Sequence, residues 1–367
     1  MRYMEGFREG KASQALASQL EELGVKLEEN QKVVRVMEVC GSHTMAIHRY
    51  GIRSLLPDNL KLISGPGCPV CVTDHGFIDT AIELCRRGVI IATFGDLIRV
   101  PGSEGSLAQL KGEGGRVEVC YSPLDALALA EKEAQSEVVF LGIGFETTMA
   151  PIISLVKRAK EEKLSNLSVL TAFKLVPPAL KVLVEDPEVA IDGFLCPAHV
   201  SAIIGSDAYS PIVDQYSMPC VVAGFEPLDI LLGLKELTEQ CCDSKPQLTN
   251  QYARVVSNEG NLIAQELIKK YLKVSDESWR GIGVIPESGM VLSDEFAYYD
   301  ASKRFSLPIP EGKVIPGCRC GEVLKGQLSP PDCPLFGKGC SPESPVGPCM
   351  VSSEGSCAAY YRYSRFS

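Results

Sequence analysis

The stretch Ser64-Gly65-Pro66-Gly67-Cys68-Pro69-Val70-Cys71-Val72-Thr73-Asp74 sets two thiols, two residues apart, in a stiff Gly/Pro turn. Pro66 and Pro69 fix their own φ and bias the residues before them to extended geometry, so the loop is preorganised. Gly65 and Gly67 allow close backbone approach to a bound group. Such a pair ligates a metal or exchanges disulfides, and thiolate is the reactive form in both. Asp74 is placed to cap the helix that follows. Cys71 is therefore expected near that helix's positive end, with a lowered thiol pKa. A structural zinc knuckle or a merely buried pair has the same spacing.

The C-terminal stretch carries a second thiol constellation. Cys318, Cys333, Cys340 and Cys357 are separated by 14, 6 and 16 residues. Four thiolates suit a [4Fe–4S] cube, one per iron, and also suit zinc. A structural zinc site usually shows two tight Cys-x-x-Cys pairs, and this block has none, which favours iron–sulfur. Cys320 and Cys349 remain over, either as a redox pair beside the cluster or as buried thiols. Elsewhere, Cys40 and His43 follow an apolar strand and offer a soft ligand set for iron or zinc. Glu146 follows another strand in Gly144-Phe145-Glu146-Thr147-Thr148, where it either carries a proton or caps a helix. His48 and His75 read as ordinary hydrogen-bonded residues. Cys85, Cys120, Cys196, Cys220, Cys241 and Cys242 read as small buried hydrophobes. No phosphate-loop ending, dinucleotide spacing or Gly-x-Ser-x-Gly is present.

The elements that must position these residues follow from periodicity. Leu16, Leu20, Leu23 and Leu27 predict an amphipathic helix over 11–28. Apolar runs predict strands at 31–40, 60–63, 88–94, 116–121, 137–143, 168–173, 193–196 and 220–224. They alternate with helical patterns, the signature of parallel sheets covered on both faces. The loops carrying Cys40, Cys68 and Cys71, Glu146 and His199 all follow strands. Function gathers at the carboxyl ends of strands in open α/β sheets, so these loops are expected to converge on one cleft. The predicted fold is two parallel-sheet α/β domains around a cleft, plus a Cys-rich iron–sulfur domain. The segments are 1–30 (a helix packing on the rest), 31–122 (first α/β domain), 123–238 (second α/β domain) and 239–367 (third domain with the cluster). Residues 239–275 read as helical and polar, and 281–298 as containing a strand. The Gly-rich segments 102–106 and 112–115 read as mobile surface loops.

The chain has 367 residues and a net charge of −10. That balance argues against nucleic acid or an anionic membrane surface as the main partner. No run of eighteen apolar residues predicts a membrane span, and residues 1–10 show no apolar leader. Fifteen cysteines without an export signal point to metal and redox chemistry rather than a disulfide framework.

Taken in order, Cys40-Gly41-Ser42-His43, Gly65-Pro66-Gly67-Cys68-Pro69-Val70-Cys71, Gly144-Phe145-Glu146-Thr147-Thr148, Pro197-Ala198-His199-Val200-Ser201 and the cysteine ladder resemble the HypD family of hydrogenase maturation factors, over essentially the whole length. The resemblance implies a cytoplasmic scaffold on which iron acquires carbon monoxide and cyanide for a [NiFe] hydrogenase. Its implied partners are a small chaperone, HypC, and a cyanide donor, HypE. By motif, Cys40 would be the iron ligand with His43 beside it, and Cys68 and Cys71 the dithiol. Cys318, Cys333, Cys340 and Cys357 would hold a [4Fe–4S] cluster, with Cys320 and Cys349 as the adjacent redox pair. Met45 stands where the family often has a second histidine, and reads as packing. The competing readings are a stand-alone iron–sulfur thiol–disulfide reductase and an α/β protein with a structural zinc tail.

Overall fold

The computed structural model describes residues 10–307 and 316–363, so the expectations that fall on 1–9, 308–315 and 364–367 lie outside the described residues. Strands β1 (Val34–Glu38), β2 (Leu60–Ser64), β3 (Ile90–Phe94), β4 (Val117–Cys120), β5 (Val138–Gly144), β6 (Leu167–Lys174), β7 (Gly193–Pro197) and β8 (Cys220–Ala223) form where the apolar runs put them. Three more follow: β9 (Leu248–Asn250), β10 (Leu272–Trp279) and β11 (Gly283–Leu292). One sheet has the order β2-β1-β7-β8-β9 and is parallel throughout. The other has the order β10-β11-β6-β5-β3-β4, with an antiparallel hairpin, β10–β11, added to a parallel core. The chain is thus an α/β protein of two parallel-dominated sheets. Every residue of β5 and β6 is buried, as expected of strands with helices on both faces.

Sheet membership cuts across the consecutive segments 31–122 and 123–238. β1 and β2 join β7 and β8, whereas β3 and β4 join β5 and β6. A strand apolar on both faces carries no local mark of its neighbour, so its pairing is settled only by long-range packing. Residues 239–275 also depart from the helical expectation. They contain β9, and β10 begins at Leu272. β10 exposes Lys273, Val274 and Asp276 and half-buries Ser275, Glu277 and Ser278, a polar run easily read as a helix.

Helix α1 (Gly10–Glu29) puts Leu20 and Leu27 wholly inside, against Leu234 and Leu237 of the helix Pro227–Asp243. Each such leucine contributes roughly 2 kcal/mol of burial. The hairpin is locked to β6 by Lys174, whose buried ammonium donates to Glu277 Oε1 at 2.9 Å and to the Ser278 carbonyl at 2.8 Å. The segment 102–106 is an ordered turn, not a mobile loop. The Asp79 carboxylate accepts from Ser103 N and Oγ at 2.7 and 2.6 Å, and Ser106 caps the following helix.

Candidate metal and thiol site

Cys40 follows β1 and is the N-cap of α2 (Gly41–Arg49), with extended backbone and 2% exposure. β1 lies between β2 and β7, so the sheet order reverses beside it. The carboxyl ends flanking such a reversal are where open α/β sheets bind ligands. There Cys40 Sγ stands 3.8–3.9 Å from the two ring nitrogens of His199, the second residue of the helix Ala198–Ile204 that follows β7. Burial, with the negative Glu354 adding to it, pushes the Cys40 thiol up to about 12. A bound cation would reverse that preference, because it supplies the missing positive charge.

The neighbouring side chains are held closely. His43 Nε2 donates to the carbonyls of Ala223 and Gly224 at 3.1 and 3.0 Å, after β8. Burial lowers its pKa to about 4, so the ring is neutral. Its Nδ1 lone pair has no hydrogen-bond partner among the described residues. A histidine with one N–H tied to a carbonyl and the other nitrogen bare is the tautomer that binds metals. Phe225 packs between His43 and His199, with ring centroids 4.7 and 5.3 Å away. Burial lowers the His199 pKa against the pull of Glu354 and Glu146.

Glu146 is the first residue of the helix Glu146–Glu161, at the end of β5. Its Oε1 accepts from Val176 N at 2.9 Å, and its Oε2 is buried without a partner among the described residues. Burial raises its pKa from 4.5 to about 7, partly offset by its own backbone N–H and by that of Val176. A carboxyl poised near neutrality can hold and release a proton. The folded chain thus binds this proton more tightly than the unfolded chain does. The resulting stability is complete below pH 4.5 and is lost as pH rises to about 7. Glu146→Gln is therefore expected to match the wild type below pH 4.5 and to exceed its stability above pH 7 by on the order of 3 kcal/mol. Urea denaturation at the two extremes checks it, and equal differences at both would contradict it.

The dithiol loop lies against Cys40. Gly41 N donates to the Gly67 carbonyl at 3.2 Å. A Cβ on Gly67 would sit 1.7 Å from the Val39 carbonyl oxygen and 2.4 Å from Cys40 Cα. Glycine is obligatory there, and Gly67→Ala is expected to cost about 3 kcal/mol of stability, read as a lowered Tm. Cys68 caps the short helix α3 (Pro69–Val72), its sulfur accepting from Cys71 N at 3.3 Å. Asp74 caps α4 (His75–Arg86), accepting from Gly76 N at 2.9 Å. The lowered pKa expected for Cys71 is not found. Cys71 is fully buried, and desolvation outweighs the helix end, pushing its thiol well above the usual value.

Burial has a purpose visible from the tail. Cys71 adjoins Cys349, which in turn adjoins Cys320 and Cys357. Cys318 and Cys320 sulfurs are 3.3 Å apart, and a Cβ on Gly347 would come within 2.6 Å of both. One apolar cavity is lined by five thiols, Cys318, Cys320, Cys333, Cys340 and Cys357, with Val323, Leu335, Phe336 and Met350 as its walls. Among the described residues, no three His, Cys, Asp or Glu side chains are preassembled as a metal-binding group. The tail is fastened to the Cys40 loop: Ser42 Oγ donates to Glu354 Oε1 at 2.7 Å, and Tyr360 packs on His48. His75 meets Arg280, as an ordinary hydrogen-bonded residue would. Cys85, Cys120, Cys196 and Cys220 are buried, whereas Cys241 and Cys242 are only half-buried.

Two residues at the site were not singled out as functional from sequence: Glu354, which sits in a turn, and Arg280, which follows Trp279 at a hairpin. Neither has a local signature, whereas the His199 loop was marked by the strand before it.

Fold and site together define a thiol-rich α/β protein, with cysteines from three distant stretches gathered at the carboxyl edge of one sheet and in the tail. The family profile described as Hydrogenase formation hypA family, HypD, matches residues 12–364. The chain is 44% identical over 373 residues to hydrogenase maturation factor HypD of Azotobacter vinelandii, covering 100% of this chain and 97% of that one. It is 44% identical to hydrogenase maturation factor HypD of Escherichia coli strain K12, covering 99% and 98%. It is 42% identical to that of Cupriavidus necator, covering 100% and 98%. The chain belongs to the HypD family of hydrogenase maturation factors. Among the described residues, no helix is long and apolar enough to cross a membrane.

Proposed function

We propose that this maturation factor is a cytoplasmic scaffold on which the Fe(CN)2CO fragment of a [NiFe] hydrogenase is assembled, together with a HypC-type chaperone and a HypE-type cyanide donor. The observation that carries the reading is Cys40 beside His199 at the reversal of sheet order, with the Cys68/Cys71 loop pressed against its backbone. Iron bearing strong-field ligands favours a soft thiolate, and Cys40 supplies it, with His43 Nδ1 and the dithiol as further donors. Glu146 holds or releases a proton beside the site.

Cys318, Cys333, Cys340 and Cys357 would hold a [4Fe–4S] cluster, since all four border one apolar cavity, and the cluster would supply single electrons. Cys320 and Cys349 act as a thiol–disulfide pair that keeps Cys68 and Cys71 reduced. Their support is the unbroken adjacency of Cys320, Cys349 and Cys71. Cys320→Ser is expected to lower iron-fragment assembly roughly tenfold, scored as hydrogenase activity in cells that depend on the variant. Unchanged assembly would remove the relay. The same adjacency also serves a reductase acting alone, in which case protein from hydrogenase-producing cells carries no cyanide or carbon monoxide and turns over disulfides rapidly.

A further inference from the structure

Beside Cys320 the surface opens into a cavity of about 310 Å³, bordered by Cys318, Cys320, Arg280, His75, Lys325 and Gln327. The thiols of the proposed relay differ sharply in access. Cys320 is 7% exposed and lines the cavity, whereas Cys68 (3% exposed) does not line it and Cys349 and Cys71 are fully buried. Of the relay thiols, Cys320 is the one that a thiol entering this cavity meets. At this size the cavity is at the low end of small-molecule pockets, roughly 300–1,000 Å³, which suits a tripeptide thiol and excludes a folded protein.

Arg280 supports the same assignment independently. It is 7% exposed and pinned by its backbone N–H on the Val72 carbonyl at 2.8 Å, by Nε on the Thr73 carbonyl at 2.8 Å and by Nη1 on the His75 ring. Its Nη2 is buried with no hydrogen-bond partner among the described residues. The negative or sulfur-bearing groups that act on its guanidinium are Cys320, Cys349, Asp74 and Cys71. The other charges at the cavity are already engaged: Arg319 with Glu322, and Lys325 with Asp186. A buried cation with a spare donor costs stability unless an anion uses it, and a leaving thiolate is such an anion.

We propose that this cavity is the port at which a low-molecular-weight thiol enters and exchanges with Cys320, with Arg280 receiving the charge released inside. The inference rests on Cys320 and Cys349 forming the relay disulfide. The sulfur of the incoming thiolate bonds to Cys320 Sγ as the Cys320–Cys349 bond breaks, and the electron pair leaves on Cys349 Sγ. A second small thiol then bonds to the first, frees Cys320 and departs as the oxidised small disulfide. Two small thiols are oxidised, one protein disulfide is reduced, and the two protons of the small thiols end on Cys320 and Cys349.

The test uses the full-length protein, kept anaerobic, and glutathione as the probe. In Cys349→Ser, oxidised glutathione is expected to leave a mixed disulfide on Cys320, located by peptide mass spectrometry. Gln327→Trp added at the cavity rim is expected to slow that reaction at least about tenfold, because access sets the rate of exchange. Adducts confined to other cysteines, no adduct, or a rim substitution without effect on the rate would overturn the port. The relay disulfide is scored separately, by mapping Cys320–Cys349 in oxidised wild-type protein, so its failure is told apart from failure of the port.

Discussion

Cys40→Ala is expected to reduce hydrogenase maturation at least about 100-fold while leaving the fold in place, because it removes the proposed iron ligand and little else. Cys40 is buried, but its side chain ends in one sulfur, so its loss costs only about 1 kcal/mol of packing. The backbone contacts of the loop, Gly41 N to Gly67 O and the Gly41 approach to Glu354, do not involve that sulfur. Hydrogenase activity in cells relying on the variant, paired with a melting curve of the purified protein, separates the two effects. A variant that melts like the wild type and still matures hydrogenase would show that iron is held elsewhere.

Cys340→Ser is expected to empty the tail of the cluster proposed for it and loosen the tail from the body. Between Gly317 and Tyr363 the regular elements are short, the longest being the helix Ser356–Tyr363. Segments of this kind fold around a cross-link, and metal–thiolate sites contribute on the order of 10 kcal/mol to such folding. Iron and sulfide content is expected to fall below about a tenth of the wild-type value, with loss of the brown absorbance of thiolate-ligated clusters. The tail reaches the Cys40 loop through Glu354 and Tyr360, so limited proteolysis should cut it sooner in the variant. A colourless wild-type protein with stoichiometric zinc would contradict this and favour a structural zinc tail.

The strands were legible because their apolar runs are long and sharply bounded, from Val34–Glu38 through Cys220–Ala223. The ends of those strands are legible too, which is why Cys40, Cys68, Glu146 and His199 stand out in the sequence. Partition into sheets was not, because β3 pairs with β5 across the 43 residues of chain from 95 to 137 and nothing in Ile90–Phe94 names its neighbour. Gly-Phe-Glu recurs at 144–146 and 224–226 with the same local outcome, a strand ending and a helix beginning, yet in different sheets. The thiol chemistry was half legible. Spacing identified Cys68 and Cys71 as a pair, and the helix end predicted a low pKa for Cys71. Tail residues bury that sulfur against Cys349, and desolvation reverses the sign. Arg280 and Glu354 reach the site across the fold, so no local pattern marks them.

The central claim is that Cys40 anchors an iron bearing diatomic ligands. Infrared spectroscopy of the protein purified without oxygen from hydrogenase-producing cells tests it most directly. The expected result is a set of sharp bands from metal-bound cyanide and carbon monoxide in the wild type, absent in Cys40→Ala. A wild-type spectrum without such bands, or a Cys40→Ala spectrum that keeps them, would contradict the account.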